Sequence, residues 1–388
     1  MLEIRLPTAV GHLGKYRLHG SCGFPTQQRG PFNRIALAAA HVVADPLADH
    51  DPWLDPAVDW ERTLAYRAFL FDLGLGVAEA MDTAQRGMGL DWPTSLALIE
   101  RSLAAANGRQ DALIFCGAGT DHLAPAPGQT VDDVIRAYEE QIEAIERLGG
   151  RIILMASRAL AACARSPDDY GRVYDRILGQ LREPCIVHWL GEMFDPALDG
   201  YFGHADHLAA MDVCVDILER NAARIDGIKL SLLSQEKEEH LRARLPAGVR
   251  MYTGDDFNYP ALIEGDGSRH SDALLGIFDP IAPAAAAALA ALGDGRVAAF
   301  HEILKPTVPL SRHIFMAPTR FYKTGVVFMA YLNGHQDHFT MVGGQQSARS
   351  LLHLADLFRL ADAAGLLLDP ERAVERMRRV LAVHGVEG

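Results

Sequence analysis

Along the chain, short apolar runs alternate with longer segments whose apolar positions recur at helical spacing. The first run covers residues 35–43 and closes on Ala44-Asp45-Pro46; residues 59–73 then place Leu64, Phe69 and Leu73 among positions of helical period. The same pairing returns seven more times. Strand-like runs fall at 76–81, 112–116, 151–156, 185–190, 226–233, 249–253 and 274–278. Helical segments follow at 93–106, 130–148, 168–181, 205–224 and 235–244, then after Asn258, and finally in the alanine-rich stretch beyond Pro280. Local chemistry supports the helix starts: Pro93 sits in a first turn, and Asp132 and Asp133 open the long helix.

Eight strand–helix pairs in roughly 260 residues match an α/β protein of the closed (β/α)8 TIM-barrel type. A doubly wound sheet is the alternative, but no strand-to-helix turn carries a GxGxxG fingerprint and eight units suit closure better. The pattern divides the chain into an irregular N-terminal arm (1–33, around Ser21-Cys-Gly-Phe-Pro-Thr-Gln-Gln-Arg-Gly30), a barrel (34–294) and a C-terminal helical subdomain (295–388). The last contains helical patterns at 319–332, 347–364 and 370–383.

Composition narrows the class. With 388 residues, 49% of them hydrophobic and 22% charged, the chain has ample material for a globular core. A formal charge of −13 with no compensating basic cluster argues against nucleic acid as a partner. The five cysteines are far apart with no CxxC pair, and Cys116 and Cys185 lie in apolar runs, as reduced core residues do. No secretory leader pattern opens the chain and no uncharged run is long enough to span a bilayer, so no membrane partner and a cytoplasmic location are expected. No cofactor is expected.

One strand carries unusual chemistry. In Asp226-Gly-Ile-Lys-Leu-Ser-Leu-Leu233, alternation puts Lys229 and Ser231 on one face and Ile228, Leu230 and Leu232 on the other. An amine enclosed by apolar strand loses its charge more readily, and a neutral amine attacks carbonyls. A lysine at a strand end that snorkels to water is the bland alternative. Lysine usage favours the first reading: of only five (Lys15, Lys229, Lys237, Lys305, Lys323), Lys229 alone lies on a barrel strand, and Lys323, on a predicted helix, is the one rival.

Barrels of this type place reactive groups at the C-terminal ends of their strands. Those ends collect His41 and Asp45; Glu79, Asp82 and Thr83; Thr120; Ser157 and Arg158; His188 and Trp189; Lys229 and Ser231; Tyr252, Thr253, Asp255 and Asp256; and Asp279. Singly, Asp45, Asp82 and Asp279 read equally well as helix caps, and His188 as a core histidine. Their convergence around one lysine is the functional signal.

A lysine in a Gly-Ile-Lys sixth strand, then Gly254-Asp-Asp256 closing strand seven, resembles the dihydrodipicolinate synthase / N-acetylneuraminate lyase superfamily of class I aldolases. More narrowly, Val77-Ala-Glu-Ala-Met-Asp-Thr-Ala-Gln-Arg-Gly-Met88 and Tyr252-Thr-Gly-Asp-Asp-Phe-Asn-Tyr-Pro260 resemble a branch known only as a domain of unknown function. The resemblance covers about residues 34–335 and implies that Lys229 is the Schiff-base lysine and Gly254-Asp-Asp256 the turn near the site entrance. Two places depart from the family. Its second strand ends in a Gly-Thr-Thr-Gly-Glu-type loop that holds the substrate carboxylate, where this chain has Met81-Asp-Thr-Ala-Gln-Arg86. Its fifth strand supplies a relay tyrosine in a Tyr-Asn-x-Pro context, where this chain has His188-Trp-Leu-Gly191.

The expected activity is a class I, Schiff-base lyase or aldolase in carbohydrate metabolism, acting on a sugar-derived keto compound or keto acid. Lys229 is the expected nucleophile and His188 the acid/base, its ordinary pKa being near the working pH. Glu79, Asp82, Thr83, Arg86, Ser231, Thr253, Asp255 and Asp256 are the expected substrate-binding set. A carboxylate-rich mouth suits a polyhydroxylated carbonyl compound, with Arg86 or Arg158 offsetting the acids for an anionic one. The alternatives are a divalent-metal isomerase or lyase using Glu79, Asp82, His188 and Asp255, and a non-catalytic sugar-binding barrel. Apolar faces on the C-terminal helices (Val326, Val327, Met329, Ala330, Leu332; Leu351, Leu354, Leu357, Phe358, Leu360) exceed what a barrel rim needs, so a homo-oligomer is expected. His335, Asp337 and His338 read as a polar loop rather than metal ligands.

Overall fold

The computed structural model describes residues 2–27, 32–126 and 128–387, so residues 1 and 28–31 of the predicted arm lie outside the described residues. Strands β1 (Glu3–Pro7) and β2 (Leu13–Arg17) form an antiparallel hairpin. The next eight strands are β3 (Ala36–Ala39), β4 (Gly76–Glu79), β5 (Ile114–Ala118), β6 (Arg151–Met155), β7 (Cys185–Leu190), β8 (Ile225–Ser231), β9 (Arg250–Thr253) and β10 (Asp272–Leu275). They are all parallel, and β10 closes the ring by pairing with both β9 and β3. Between and after them run α1 (Trp60–Asp72), α2 (Trp92–Ala106), α3 (Val131–Arg147), α4 (Arg158–Cys163), α5 (Pro167–Gln180), α6 (His207–Arg220), α7 (Gln235–Arg244), α8 (Tyr259–Glu264) and α9 (Ala282–Gly293). The expected TIM barrel is therefore the observed one.

Alternation along each strand separates two cores. Leu37, Ala78, Phe115, Ile153, Ile186, Tyr252 and Leu274 fill the lumen. Ala38, Val77, Cys116, Ile152, Val187, Ile228, Leu230 and Ala273 face the helices. Helix starts are fixed by side chains accepting backbone N–H groups: Asp59 for α1, Asp91 for α2, Ser234 for α7, and a reciprocal Thr130–Asp133 box for α3. Strand β10 ends earlier than its apolar run because residues 276–279 curl away: the Asp279 N–H bonds the Gly276 carbonyl and the Ile277 N–H bonds Asp256.

Beyond the barrel lie α10 (Val297–Leu304), α11 (Thr307–Ile314), α12 (Tyr322–Leu332), α13 (Leu351–Ala363) and α14 (Pro370–Val383). Every residue of α12 is buried. Val326, Val327, Met329, Leu354, Leu357 and Phe358 are covered within this one chain. Most of the apolar faces from which an oligomer was expected are thus covered inside the protomer, Leu351 and Leu360 only in part. The arm, which has no readable periodicity, is anchored on the same helices: Tyr16 Oη donates to Asp362 at 2.7 Å and the His19 N–H to the same carboxylate at 2.9 Å. His335 packs between Tyr66 and Phe69, and Asp337 pairs with Arg62 and Arg376, so they are not gathered as ligands. Among the described residues no helix is long and apolar enough to cross a membrane.

Candidate active site

The inner face of β8 reads Gly227, Lys229, Ser231, and two glycines make room for it. A Cβ on Gly227 would stand 2.6 Å from the Tyr252 ring, which fills the lumen below and whose hydroxyl donates to Asp226 at 2.5 Å. A Cβ on Gly254, at the end of β9, would meet Cε of Lys229 at 2.9 Å and Oγ of Ser231 closer still. The lysine stem occupies the volume that glycine leaves, pinned in the ladder between His188 of β7 and Tyr252 of β9.

Lys229 opens into a small chamber whose polar walls are Asp82, Thr83, Ser231, Asp256 and Tyr322. Burial drives its amine toward the neutral form, against the attraction of Asp256 and then Asp82, and its pKa is lowered. Burial likewise pushes Asp256 up to about 7, although it accepts the Ile277 N–H at 2.8 Å and faces Lys229. Both shifts run toward the uncharged groups, and a neutral amine is the form that attacks a carbonyl.

A second cavity of about 580 Å³, open to solvent, adjoins the chamber: Asp82 and Leu190 line both. Thr120, Arg158 and His188 face this vestibule. Burial first and Lys229 second hold the His188 pKa well below its ordinary value, so its imidazole is neutral, with Nε2 3.1 Å from Ser231 Oγ. That changes the role expected for it, because a group titrating near neutrality is replaced by a neutral ring able to accept a proton only transiently. Arg158 pairs with Asp195 through Nε, and its Nη1 lies against Gly87, where a Cβ would come within 2.8 Å. Among the described residues no hydrogen bond engages its terminal nitrogens, and none holds the Asp82 carboxylate.

Of the expected site residues, Lys229, Ser231, Asp82, Thr83 and Asp256 come together in the chamber, and His188 stands behind Ser231. Four others are engaged within the protein. Ala78 points into the lumen, so Glu79 points out, where Arg67 holds it at 2.9 and 3.0 Å, Ser102 at 2.6 Å and the Ala80 N–H at 2.9 Å. Tyr252 takes the inner position on β9, which turns Thr253 outward to donate to Glu238 at 2.9 Å. Asp255 closes its own turn, accepting from the Phe257 and Asn258 N–H groups at 2.8 and 3.1 Å and from the Asn258 amide at 2.8 Å. Arg86 borders the vestibule, but all five of its N–H donors are taken: two by Asp121, one by Gln141, and two by the carbonyls of Ala80 and Gly117.

Other residues at the strand ends also turn inward on the protein. His41 and Asp279 pair at 2.7 Å, wholly buried, under Tyr66, and Asp45 holds its own loop through the Leu47 N–H. The four proposed metal ligands, Glu79, Asp82, His188 and Asp255, are consequently not brought together. The rival amine, Lys323, is buried and its pKa falls to about 8, burial being the cause; it donates to the Arg320 carbonyl at 3.1 Å and the Met88 thioether at 3.4 Å, outside the Lys229 chamber.

Tyr322 was missed by strand-end reasoning because it belongs to α12. Its ring stacks on Phe315 (4.4 Å, 16°), Phe194 meets it edge-on (6.1 Å, 88°), and its hydroxyl lies 2.8 Å from that of Thr83. The one signal in the sequence is the Tyr322-Lys323-Thr324 start of an otherwise apolar helix.

The closed barrel and its C-terminal helices define the fold class of dihydrodipicolinate synthase. YagE, a prophage protein of the dihydrodipicolinic acid synthase family from E. coli K12 solved in complex with pyruvate, matches with a TM-score of 0.63 at 12% identity, over 91% of this chain and 99% of its own. The chloride-inhibited dihydrodipicolinate synthase of Acinetobacter baumannii, complexed with pyruvate, matches with a TM-score of 0.61 at 18% identity, over 86% and 99%. That of Aquifex aeolicus matches with a TM-score of 0.59 at 12% identity, over 91% and 98%. At these identities the likeness is one of fold. The chain belongs to the family described as "Protein of unknown function (DUF993)", whose model matches residues 4–386. No curated protein sequence matches it.

Proposed function

We propose that this chain is a Schiff-base-forming lyase or aldolase. Lys229 condenses with the carbonyl of a sugar-derived keto compound or keto acid, and the iminium acts as electron sink while a C–C bond breaks or forms, or a hydroxyl leaves. The observation that carries the reading is an amine driven toward neutrality inside a barrel chamber, facing a carboxyl that burial also pushes toward its neutral form and three hydroxyls. Pyruvate, found with the YagE and A. baumannii structures, is itself a keto acid and fits a carbonyl-capturing pocket on this fold.

Substrate class follows from the vestibule. Arg86 is saturated by Asp121, Gln141 and two backbone carbonyls and Arg158 is half-engaged by Asp195, while Asp82 stands at the junction with no cation in ion-pair contact among the described residues. That balance favours a chain of hydroxyls running from the chamber past Asp82 to the terminal nitrogens of Arg158, over a small anion. Lys229→Ala is expected to abolish turnover of a panel of pyruvate, 2-keto-3-deoxy sugar acids and free ketoses while leaving the melting temperature near wild type. Full activity in that variant, or wild-type activity abolished by a chelator, would overturn the proposal.

A further inference from the structure

We propose that Tyr322, supplied by the C-terminal helix α12 and not by the barrel, is a catalytic residue that relays protons at the Lys229 carbon–nitrogen centre through Thr83. The inference rests on the Schiff-base reading and names the group that moves protons within it. Strand β7, where the resemblance places a tyrosine, carries His188, which reaches Ser231 and lines the vestibule rather than the Lys229 chamber. Inside the chamber two hydroxyls stand in hydrogen-bond contact, Thr83 Oγ1 and Tyr322 Oη at 2.8 Å. Either can donate, as a relay requires.

The phenol is held in place rather than merely nearby. Phe315 stacks on its ring and Phe194 packs edge-on against both rings. Gly276 gives it entry: a Cβ there would stand 3.3 Å from Tyr322 Cε2 and 2.9 Å from Phe315 Cζ. Burial, reinforced by Asp82, raises the phenol pKa well above its ordinary value. Tyr322 therefore stays protonated, and works by passing a proton on as it receives one, not as a phenolate base.

The step balances. Attack of the neutral Lys229 amine on the carbonyl carbon leaves a positive nitrogen and a negative oxygen. One proton leaves the nitrogen for Tyr322 Oη, the proton of Tyr322 passes to Thr83 Oγ1, and the proton of Thr83 reaches the alkoxide. Both hydroxyls end as they began, and the product is a neutral carbinolamine. Protonated Asp256 then supplies the proton with which the carbinolamine hydroxyl departs as water, the nitrogen lone pair closing the C=N bond and leaving an iminium beside a carboxylate.

The test is the rate of imine formation, read by quenching with borohydride at timed intervals and weighing the intact protein, with pyruvate and 2-keto-3-deoxygluconate as probes. Tyr322→Phe keeps the stacked ring and removes one oxygen; it is expected to slow trapping by about 10²-fold or more, with the same final adduct on Lys229. Thr83→Val is expected to slow it equally, and the double variant no further, because two links of one relay fail together. Trapping at the wild-type rate in either single variant, or losses that multiply in the double variant, would overturn the relay while leaving the Schiff-base reading in place. Absence of any adduct on the wild-type protein with both probes would overturn that reading, and the relay with it.

Discussion

The Cβ that Gly254 lacks would stand 2.9 Å from Cε of Lys229, so the glycine of the Gly-Asp-Asp turn sets where the amine can point. The Gly254 backbone does not adopt a positive φ, so an added methyl strains no dihedral, but it would meet the Leu230 carbonyl at 2.7 Å as well as Lys229 and Ser231. Gly254→Ala is therefore expected to lower the melting temperature, because β8 and β9 must part slightly, and the folded protein is expected to lose about 10²-fold in turnover, the order of loss for a misplacement of about 1 Å. Wild-type turnover in this variant would show that the amine position is not set from β9.

His188 yields two linked expectations. As a neutral ring bonded to Ser231, it is expected to matter for proton transfer, so His188→Gln lowers turnover by roughly 10²–10⁴-fold while the fold survives. Its folded pKa lies below the unfolded value, so the unfolded chain binds the extra proton first as the pH drops. The stability tied to its neutral form is full above about 6.5 and is lost as the pH falls below that value. Melting curves between pH 7 and pH 5 are expected to fall less steeply for His188→Gln than for wild type; parallel curves would contradict the buried, neutral assignment.

Glu79 belongs to the scaffold. Burial alone would raise its pKa, but Arg67, Ser102 and the Ala80 N–H outweigh it and the carboxylate stays ionised. Removing one partner of such a pair leaves a buried charge, at a cost of about 3–5 kcal/mol. Arg67→Met is therefore expected to lower the denaturation midpoint severely, whereas the protein that remains folded still captures a keto probe. A stable variant that has lost capture would return Glu79 to the site.

How much of this was legible in the sequence depends on which physical rule was available. The barrel was readable because parallel strands buried on both faces appear as continuous apolar runs, and eight of them recur with helices between. The inward set of Lys229 and Ser231 followed from alternation. The same rule turns Glu79 and Thr253 outward, but applying it needs the register, set by Ala78 and Tyr252 in the lumen, which strand ends alone do not disclose. Asp255 looked like a site acid because its turn-closing bonds depend on local backbone geometry. Tyr322 was hidden by topology: its helix returns to the mouth over Gly276 from the far end of the chain, and no local pattern records that return.

The central claim is that Lys229 forms the imine, and the most direct measurement locates the adduct. The protein is incubated with 2-keto-3-deoxygluconate or pyruvate, reduced with borohydride, digested and mapped by mass. The account predicts a secondary amine on the peptide containing Ile228-Lys-Leu230, lost in Lys229→Ala and retained in Lys323→Ala. An adduct on Lys323, or one that persists in Lys229→Ala, would contradict it.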